Sequence, residues 1–469
     1  MQKNRMADTP MGKLMFSMAF PLMVSMLVQA VYNIVDSLFV SRITSATVAL
    51  AGDKAVMALT LAFPLQMLMT ACNSGTGVGI NAMLSRFLGM GNREKASTVG
   101  GNGAFCETVI AAVFCILGFT LVGPYVRTQT SDPDTIAYAV SYLRIVMCCC
   151  FFNMWYFSFE KILQATGRAT LTMIAQLSGA VANIILDPIF IFGLKMGVSG
   201  AAVATVLGQM ISMLVAGYVF FRKTDDIDKG LRYMKPDGAL IKAIYKIGVP
   251  AAVMTGLSSV MSYGMNIILG TVSASMVTAF GIYYKLQNFI FMPAFGLNNA
   301  AVPIVGFSYG ARRKDRIKQA LKVGLMFSMS IMAAGIILVM VFARGIAGFF
   351  AVSEEIQQMA ASALRIICIG YLLAGFSVLM QGFFQALGNG VYSLVVSLFR
   401  MVIVLLPAAK LLTMTASPRT TVWWAFPIAE LAAALTAVVL LIRIWKKVVA
   451  PLPDGPAEDD AAWHNAGVK

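Results

Sequence analysis

The sequence predicts an all-α membrane protein of about twelve transmembrane helices, arranged as two homologous six-helix lobes. Three observations predict it. Apolar runs of 18 or more residues recur along the whole chain, each long enough to cross a hydrocarbon core about 30 Å thick. The second half repeats the first. Basic residues gather in alternate connections between the runs, the pattern of a chain oriented by a membrane.

Composition sets the frame. Of 469 residues, 59% are hydrophobic and only 12% charged, with a mean hydropathy of +0.78. A soluble domain carries about twice that charged fraction, and no water-soluble fold hides so much apolar surface. The formal net charge of +15 is laid out as a membrane-orienting pattern, so membrane lipid is the expected surrounding and nucleic acid is not an expected partner. The seven Cys lack metal-ligand spacing, and the single His, His464, lies in the tail. They read as packing residues. With no catalytic spacing of His, Cys or acids, neither an enzyme nor a cofactor is expected.

The first span, 14–41, follows Lys3, Arg5 and Lys13. It is too long for a signal-peptide core and no small-residue cleavage site closes it, so it reads as a retained helix. Five more spans follow at 54–84, 94–122, 135–162, 168–192 and 197–222. The charge-dense stretch from Arg222 to Gly238 then interrupts the apolar pattern. Beyond it come spans 239–270, 276–309, 315–343, 354–386, 390–414 and 420–445, and after Ala450 the segment PLPDGPAEDD reads as disordered. The expected organisation is an N-lobe over 1–221, a linker over 222–238, a C-lobe over 239–450 and a disordered tail over 451–469. Arg86, Arg93 and Lys95, then Lys161 and Arg168, then the linker, Arg312 to Lys322, and Arg443 to Lys447 all fall on one side. That side is expected to be cytoplasmic, which puts both termini inside a multi-pass cell-membrane protein.

The repeat holds two constant offsets. At 229, Lys13 meets Lys242, Pro21 meets Pro250, Gly52 meets Gly281, Pro64 meets Pro293 and Gly77 meets Gly306. At 221, Gly89 meets Gly310, Leu143-Arg144-Ile145 meets Leu364-Arg365-Ile366, and Gln164-Ala165 meets Gln385-Ala386. With six spans each, the halves insert in the same orientation and are related by an axis along the membrane normal. The cleft between two such lobes is the expected substrate cavity.

Acids inside spans are the most informative residues, because a charge in hydrocarbon costs a few kcal/mol even on lenient scales, about 2.5–3.5. Asp36 and Asp187 each lie close to the same end of their spans. Gln29, Asn33 and Asp36 form an i, i+4, i+7 stripe, Asn183 stands one turn before Asp187, and Thr205 lies at similar depth on the sixth span. Oxygens of Asp36, Asn183, Asp187 and Thr205 can thus converge on a hard cation such as Na⁺, or share a proton; a polar knot tying helices together is the other reading. Pro188 can free a backbone carbonyl beside Asp187. The offset of 229 places Met265 opposite Asp36, and aligning Pro188 with Pro407 places Leu406 opposite Asp187, so the carboxylates are a feature of one half alone. Glu160 and its counterpart Gln381 sit near the basic ends of their spans, facing the cavity or, for Glu160, paired with Lys161 or Arg168. The duplicated Arg144 and Arg365 suggest a structural role, with Glu107 and Glu430 as candidate partners. A chain with 32 Met and 30 Phe also suits a cavity wall that repacks around bulky ligands.

At these residues the chain resembles the multidrug and toxic compound extrusion (MATE) family. PLMVSMLVQAVYNIVDSLFVSR is similar to the family's first span and NIILDPIFIFG to its fifth. GMGNREKA and YGARRKDRIKQA resemble its two amphipathic loops, and ILQATG and FFQALG the ends of the fourth and tenth spans. The likeness covers residues 10–447, and FSFEKILQATG is most similar to the MepA-like branch. The resemblance implies a V-shaped fold and a monomeric antiporter that exports drugs and organic cations against an inward Na⁺ or H⁺ gradient. It implies a cation-coupling site at Asp36, Asn183, Asp187 and Thr205, which is a metal site only if Na⁺ is the ion. Gln29, Asn33, Glu160 and Gln381 are candidate substrate-cavity residues. Some members carry acids in the seventh and tenth spans; here those spans offer Asn266 and Gln381, which puts a C-lobe ion site in doubt. The alternative reading is a lipid or lipid-linked oligosaccharide flippase of the same superfamily fold.

Overall fold

The structure, a computed structural model, describes residues 5–43, 51–348 and 353–453. Most of the expected disordered tail lies outside them. Among the described residues, eleven helices are long and apolar enough to span a bilayer, and a twelfth span is a bent pair. We number the spans α1 to α12.

The first lobe comprises α1 (Met11–Ser41), α2 (Ala51–Gly89), α3 (Arg93–Thr120), α4, α5 and α6 (Val198–Lys223). α4 has two limbs, Pro133–Cys148 and Phe151–Ala165, bent by 46° at Cys149 and Cys150. α5 runs from Ala169 to Pro188 and continues as a π-turn over Ile189–Gly193. Pro188 brings no N–H to the ladder, so the Ile184 carbonyl one turn earlier loses its regular donor. The wider turn follows at once, with Leu194 N donating to Ile189 O at 2.8 Å.

The second lobe repeats the plan with α7 (Gly238–Gly270), α8 (Ala274–Gly310), α9 (Lys314–Gly348), α10, α11 and α12. α10 joins Glu354–Ile367 to Tyr371–Ala386 through a tight turn. α11 passes from Gly390–Leu398 through a π segment at Phe399–Ile403 into Leu405–Leu412, and α12 centres on Ala425–Ile444. Polar caps fix several starts. Asn92 accepts from Lys95 N before α3, Asp237 from Ala239 and Leu240 before α7, and Ser273 from Met276 before α8.

The linker is fastened rather than loose. Asn102 of α3 donates to the carbonyls of Tyr233 and Lys235 and accepts from Asp237 N at 2.7 Å, while Arg93 holds Asp228 and Arg168 holds Asp226.

Three hydrophobic cores give the molecule its shape. One belongs to the first lobe and gathers Val40, Ala55, Phe114, Leu143 and Ile191. Another belongs to the second lobe and gathers Met265, Phe280, Tyr283 and Trp423. The third takes residues from both, including Leu14, Leu84 and Phe87 with Ile244, Ile304 and Phe384. That shared core lies at the end carrying the linker and the basic loops, here called the basic face. The lobes are therefore fused at the basic face and cored separately toward the other, the open face: a V.

Glycines make the fusion tight. A Cβ on Gly89 of α2 would overlap the Phe307 carbonyl oxygen of α8, and a Cβ on Gly310 of α8 would overlap the Arg86 carbonyl oxygen of α2. Any side chain at either position forces the two backbones apart.

Candidate cation and substrate site

The first lobe's helices bring four of the expected residues together toward the open face. Asp187 is fully buried and Asp36 partly so. Their carboxyl groups face each other within hydrogen-bonding reach. Asn183, one turn before Asp187, has its Nδ2 3.4 Å from Asp187 Oδ1. With its amide turned, Asn183 donates to Asp187 Oδ2 and accepts from Thr205 N, each at 3.2 Å, which satisfies both ends. Two buried oxygens at the site have no hydrogen-bond partner among the described residues: Asp36 Oδ1 and Thr205 Oγ1. A buried carboxyl oxygen and a hydroxyl oxygen without partners are both able to accept from or coordinate a positively charged guest.

Three residues that the sequence reading missed complete this shell. Tyr142 of α4 accepts from Gln66 of α2 at 3.2 Å and lies within reach of Thr205. Tyr32, one turn before Asp36, lines the cavity beside the carboxyl pair. A signal for them existed in the repeat: Tyr32 falls opposite Met261 and Tyr142 opposite Ala363, polar against apolar, as with the acids.

Beside this cluster lies a cavity of about 300 Å³ within the first lobe. α1, α2, α4, α5 and α6 line it, and α8 adds only Asn299. This differs from the expected cleft between lobes, because the fused core closes the basic half of that cleft. Asn183 and Thr205 line the cavity toward the carboxyl pair, and Glu160, Lys161 and Gln164 line it toward the basic face. Gln29 also lines it, accepting from Gln176 at 3.2 Å. Asn33 is exposed on α1 and outside the lining. Gln381 is buried in the second lobe, where Ser393 donates to its carbonyl, and it does not reach the cavity.

Glu160 both faces the cavity and is paired. Its Oε1 accepts from Gln164 Nε2 at 2.6 Å and lies 3.4 Å from Lys161 Nζ. Arg168 is instead bound to Asp226 of the linker. The duplicated arginines do not meet their candidate acids. Arg144 and Arg365 are exposed, Glu430 binds Arg400 at 2.6 Å, and Glu107 is buried with neither oxygen hydrogen-bonded among the described residues. Tertiary placement of α11, whose π segment carries Arg400, decides this pairing.

Comparison with known proteins agrees with this architecture. Residues 21–189 and 250–409 match the MatE family, one stretch in each lobe. The chain belongs to the MatE family. Among relatives, the multidrug export protein MepA of Staphylococcus haemolyticus is 27% identical over 82% of this chain and 83% of its own length. MepA of Staphylococcus aureus is 25% identical over 92% of this chain and 94% of its own. A solved structure described as the outward-facing conformation of a multidrug resistance MATE family transporter superposes with a TM-score of 0.89 at 25% identity, covering 96% of this chain and 99% of that one. As a MatE-family chain it is a multi-pass membrane transporter and not an enzyme. No group of three or more His, Cys, Asp or Glu converges among the described residues. Two carboxyls with neutral oxygens suit a monovalent ion or a proton better than a divalent metal.

Proposed function

We propose that this protein is a cell-membrane multidrug export antiporter, working as a monomer with the basic face and both termini in the cytoplasm. It expels small organic compounds, cationic ones among them, in exchange for inward Na⁺ or H⁺. The observation that carries this reading is the Asp36–Asp187 pair, placed at the open-face end of the same lobe that encloses the cavity. With the basic face inside, the V opens outward and the pair lies nearest the external solution. A cation entering there is bound by Asp36 and Asp187 with Asn183 and Thr205, and it alters the wall of the cavity that Asn183 and Thr205 also line. Substrate release and cation entry thus share residues, which is the differential interaction that antiport requires. A strongly cationic cavity, which a lipid flippase would need for phosphate groups, is not built here. Lys161, the basic residue in the lining, is already paired with Glu160.

The test is efflux of a fluorescent organic cation from proteoliposomes under an imposed Na⁺ gradient and, separately, an imposed pH gradient. Export driven by one or both is expected. Transport that ignores both gradients would sink the proposal.

A further inference from the structure

The floor of the cavity carries a charge arrangement that the coupling site does not use. Glu160 and Lys161 are adjacent in sequence, and on a helix adjacent residues ordinarily point apart. Here both side chains turn into the cavity, with side-chain exposures of 12% and 7%, and Nζ lies 3.4 Å from Oε1. Gln164 braces both partners: its Nε2 donates to Glu160 at 2.6 Å and its Oε1 accepts from Lys161 at 3.2 Å. Asn81 of α2 donates to the same Gln164 oxygen at 3.3 Å. The Lys161 stem lies so close to Gly77 that a Cβ there would meet its Cγ at 2.9 Å. The ammonium is therefore held at the floor by packing as well as by charge. The second lobe has nothing like it, because Gln381-Gly382 stands where Glu160-Lys161 stands in the first.

We propose that Lys161 is the selectivity residue of this cavity: paired with Glu160 it favours ligands carrying both an amine and an acid over simple cations. Both side chains are nearly buried, so each charge needs a partner. A monocation that binds Glu160 displaces Lys161 and leaves one buried positive charge uncompensated, which is costly. A zwitterion places its amine on Glu160 and its carboxylate on Lys161, so every charge keeps a partner. The carboxamides of Gln29, Gln176 and Gln209 along the wall hydrogen-bond either ligand and do not discriminate. This selectivity rests on the export reading for its biological meaning, but it is a property of binding alone.

The experiment reads equilibrium binding to the full-length protein in detergent, with no gradient, so its outcome is separate from that of the efflux test. The probes are Nε-dansyl-lysine, a zwitterion, and its methyl ester, a monocation of nearly the same size. The wild type is expected to bind the zwitterion about tenfold more tightly than the ester, the value of one charge-assisted hydrogen bond. Lys161→Met should invert that ranking by exposing Glu160. Glu160→Gln with Lys161→Met should bind both with equal affinity, and it guards against misfolding of the single variant because it removes both charges together. Equal binding of the two probes by the wild type, or a ranking that Lys161→Met leaves unchanged, overturns the proposal. So does an equal loss for both probes in Lys161→Met, the outcome of a pair that only ties helices together.

Discussion

The two lobes share one plan yet treat buried charge in opposite ways. In the first lobe, Asp36 and Asp187 face each other, and neither forms an ion pair among the described residues. In the second, the equivalent positions are Met265, fully buried, and Leu406. Its buried acid, Glu430, is instead bound by Arg400 at 2.6 Å, with the guanidinium 5.1 Å from the Phe291 ring. The second lobe thus carries its counter-ion covalently, whereas on the proposed reading the first takes one from solution. On that reading a fixed cation holds the second lobe in one state, and a borrowed one lets the first change state each time the ion leaves.

The largest effect is expected from the first lobe's acids. Asp36→Asn or Asp187→Asn should abolish gradient-driven efflux while the protein stays folded, checked by efflux from proteoliposomes beside a thermal melt. Wild-type efflux from both variants would erase the functional difference between the lobes.

Next comes the second lobe. Arg400→Met strands Glu430 and should destabilise the protein by about 3–5 kcal/mol, seen as a large fall in melting temperature. Arg400→Met combined with Glu430→Leu should recover most of it, because an apolar pair of similar volume needs no counter-ion. If Arg400→Met were instead fully stable and took up a second cation per cycle, the fixed-versus-borrowed distinction would fail.

Smaller losses are expected from the neutral ligands. Asn183→Ala or Thr205→Ala should raise the cation concentration for half-maximal efflux by about three- to tenfold, the worth of one hydrogen bond. The smallest effect concerns the rim of the first lobe, where Asp132 caps α4 and, with Asp134, holds Lys54. The Thr135 hydroxyl and amide hold the Asp132 carboxyl below the usual carboxylate range. Its contribution is therefore complete above about pH 4 and is lost only as the pH falls through that lowered value. Asp132→Ala should lower the melting temperature slightly at neutral pH and remove this part of the acid sensitivity.

Much of the architecture was legible because hydrophobicity and duplication are written directly in the residues. Span number and the uneven placement of acids follow from run length and from the internal repeat. Asp36, Asn183, Asp187 and Thr205 were reachable because helical spacing and depth are properties of single helices. What escaped depends on how helices rotate against one another. Tyr142 comes from the Pro133–Cys148 limb of α4, which is bent by 46° from the Phe151–Ala165 limb. Lys161 turns toward its own neighbour only because Gly77 leaves room for its stem. Gln381 inherits the position of Glu160 in the repeat, but the second lobe encloses it among its own helices.

The repeat maps Arg86 onto Phe307 and Gly89 onto Gly310, and the contacts are Gly89 with Phe307 and Gly310 with Arg86. Each contact is therefore the image of the other, the signature of a two-fold interface between identical partners. The seam thus has the symmetry of an interface between two identical chains, although here the linker joins the halves end to end. The two halves differ away from it, at the acids, the Glu160–Lys161 pair and the Arg400–Glu430 pair. Where they touch, each half still constrains the other: a bulkier residue at Gly89 cannot be accommodated without moving the backbone of α8.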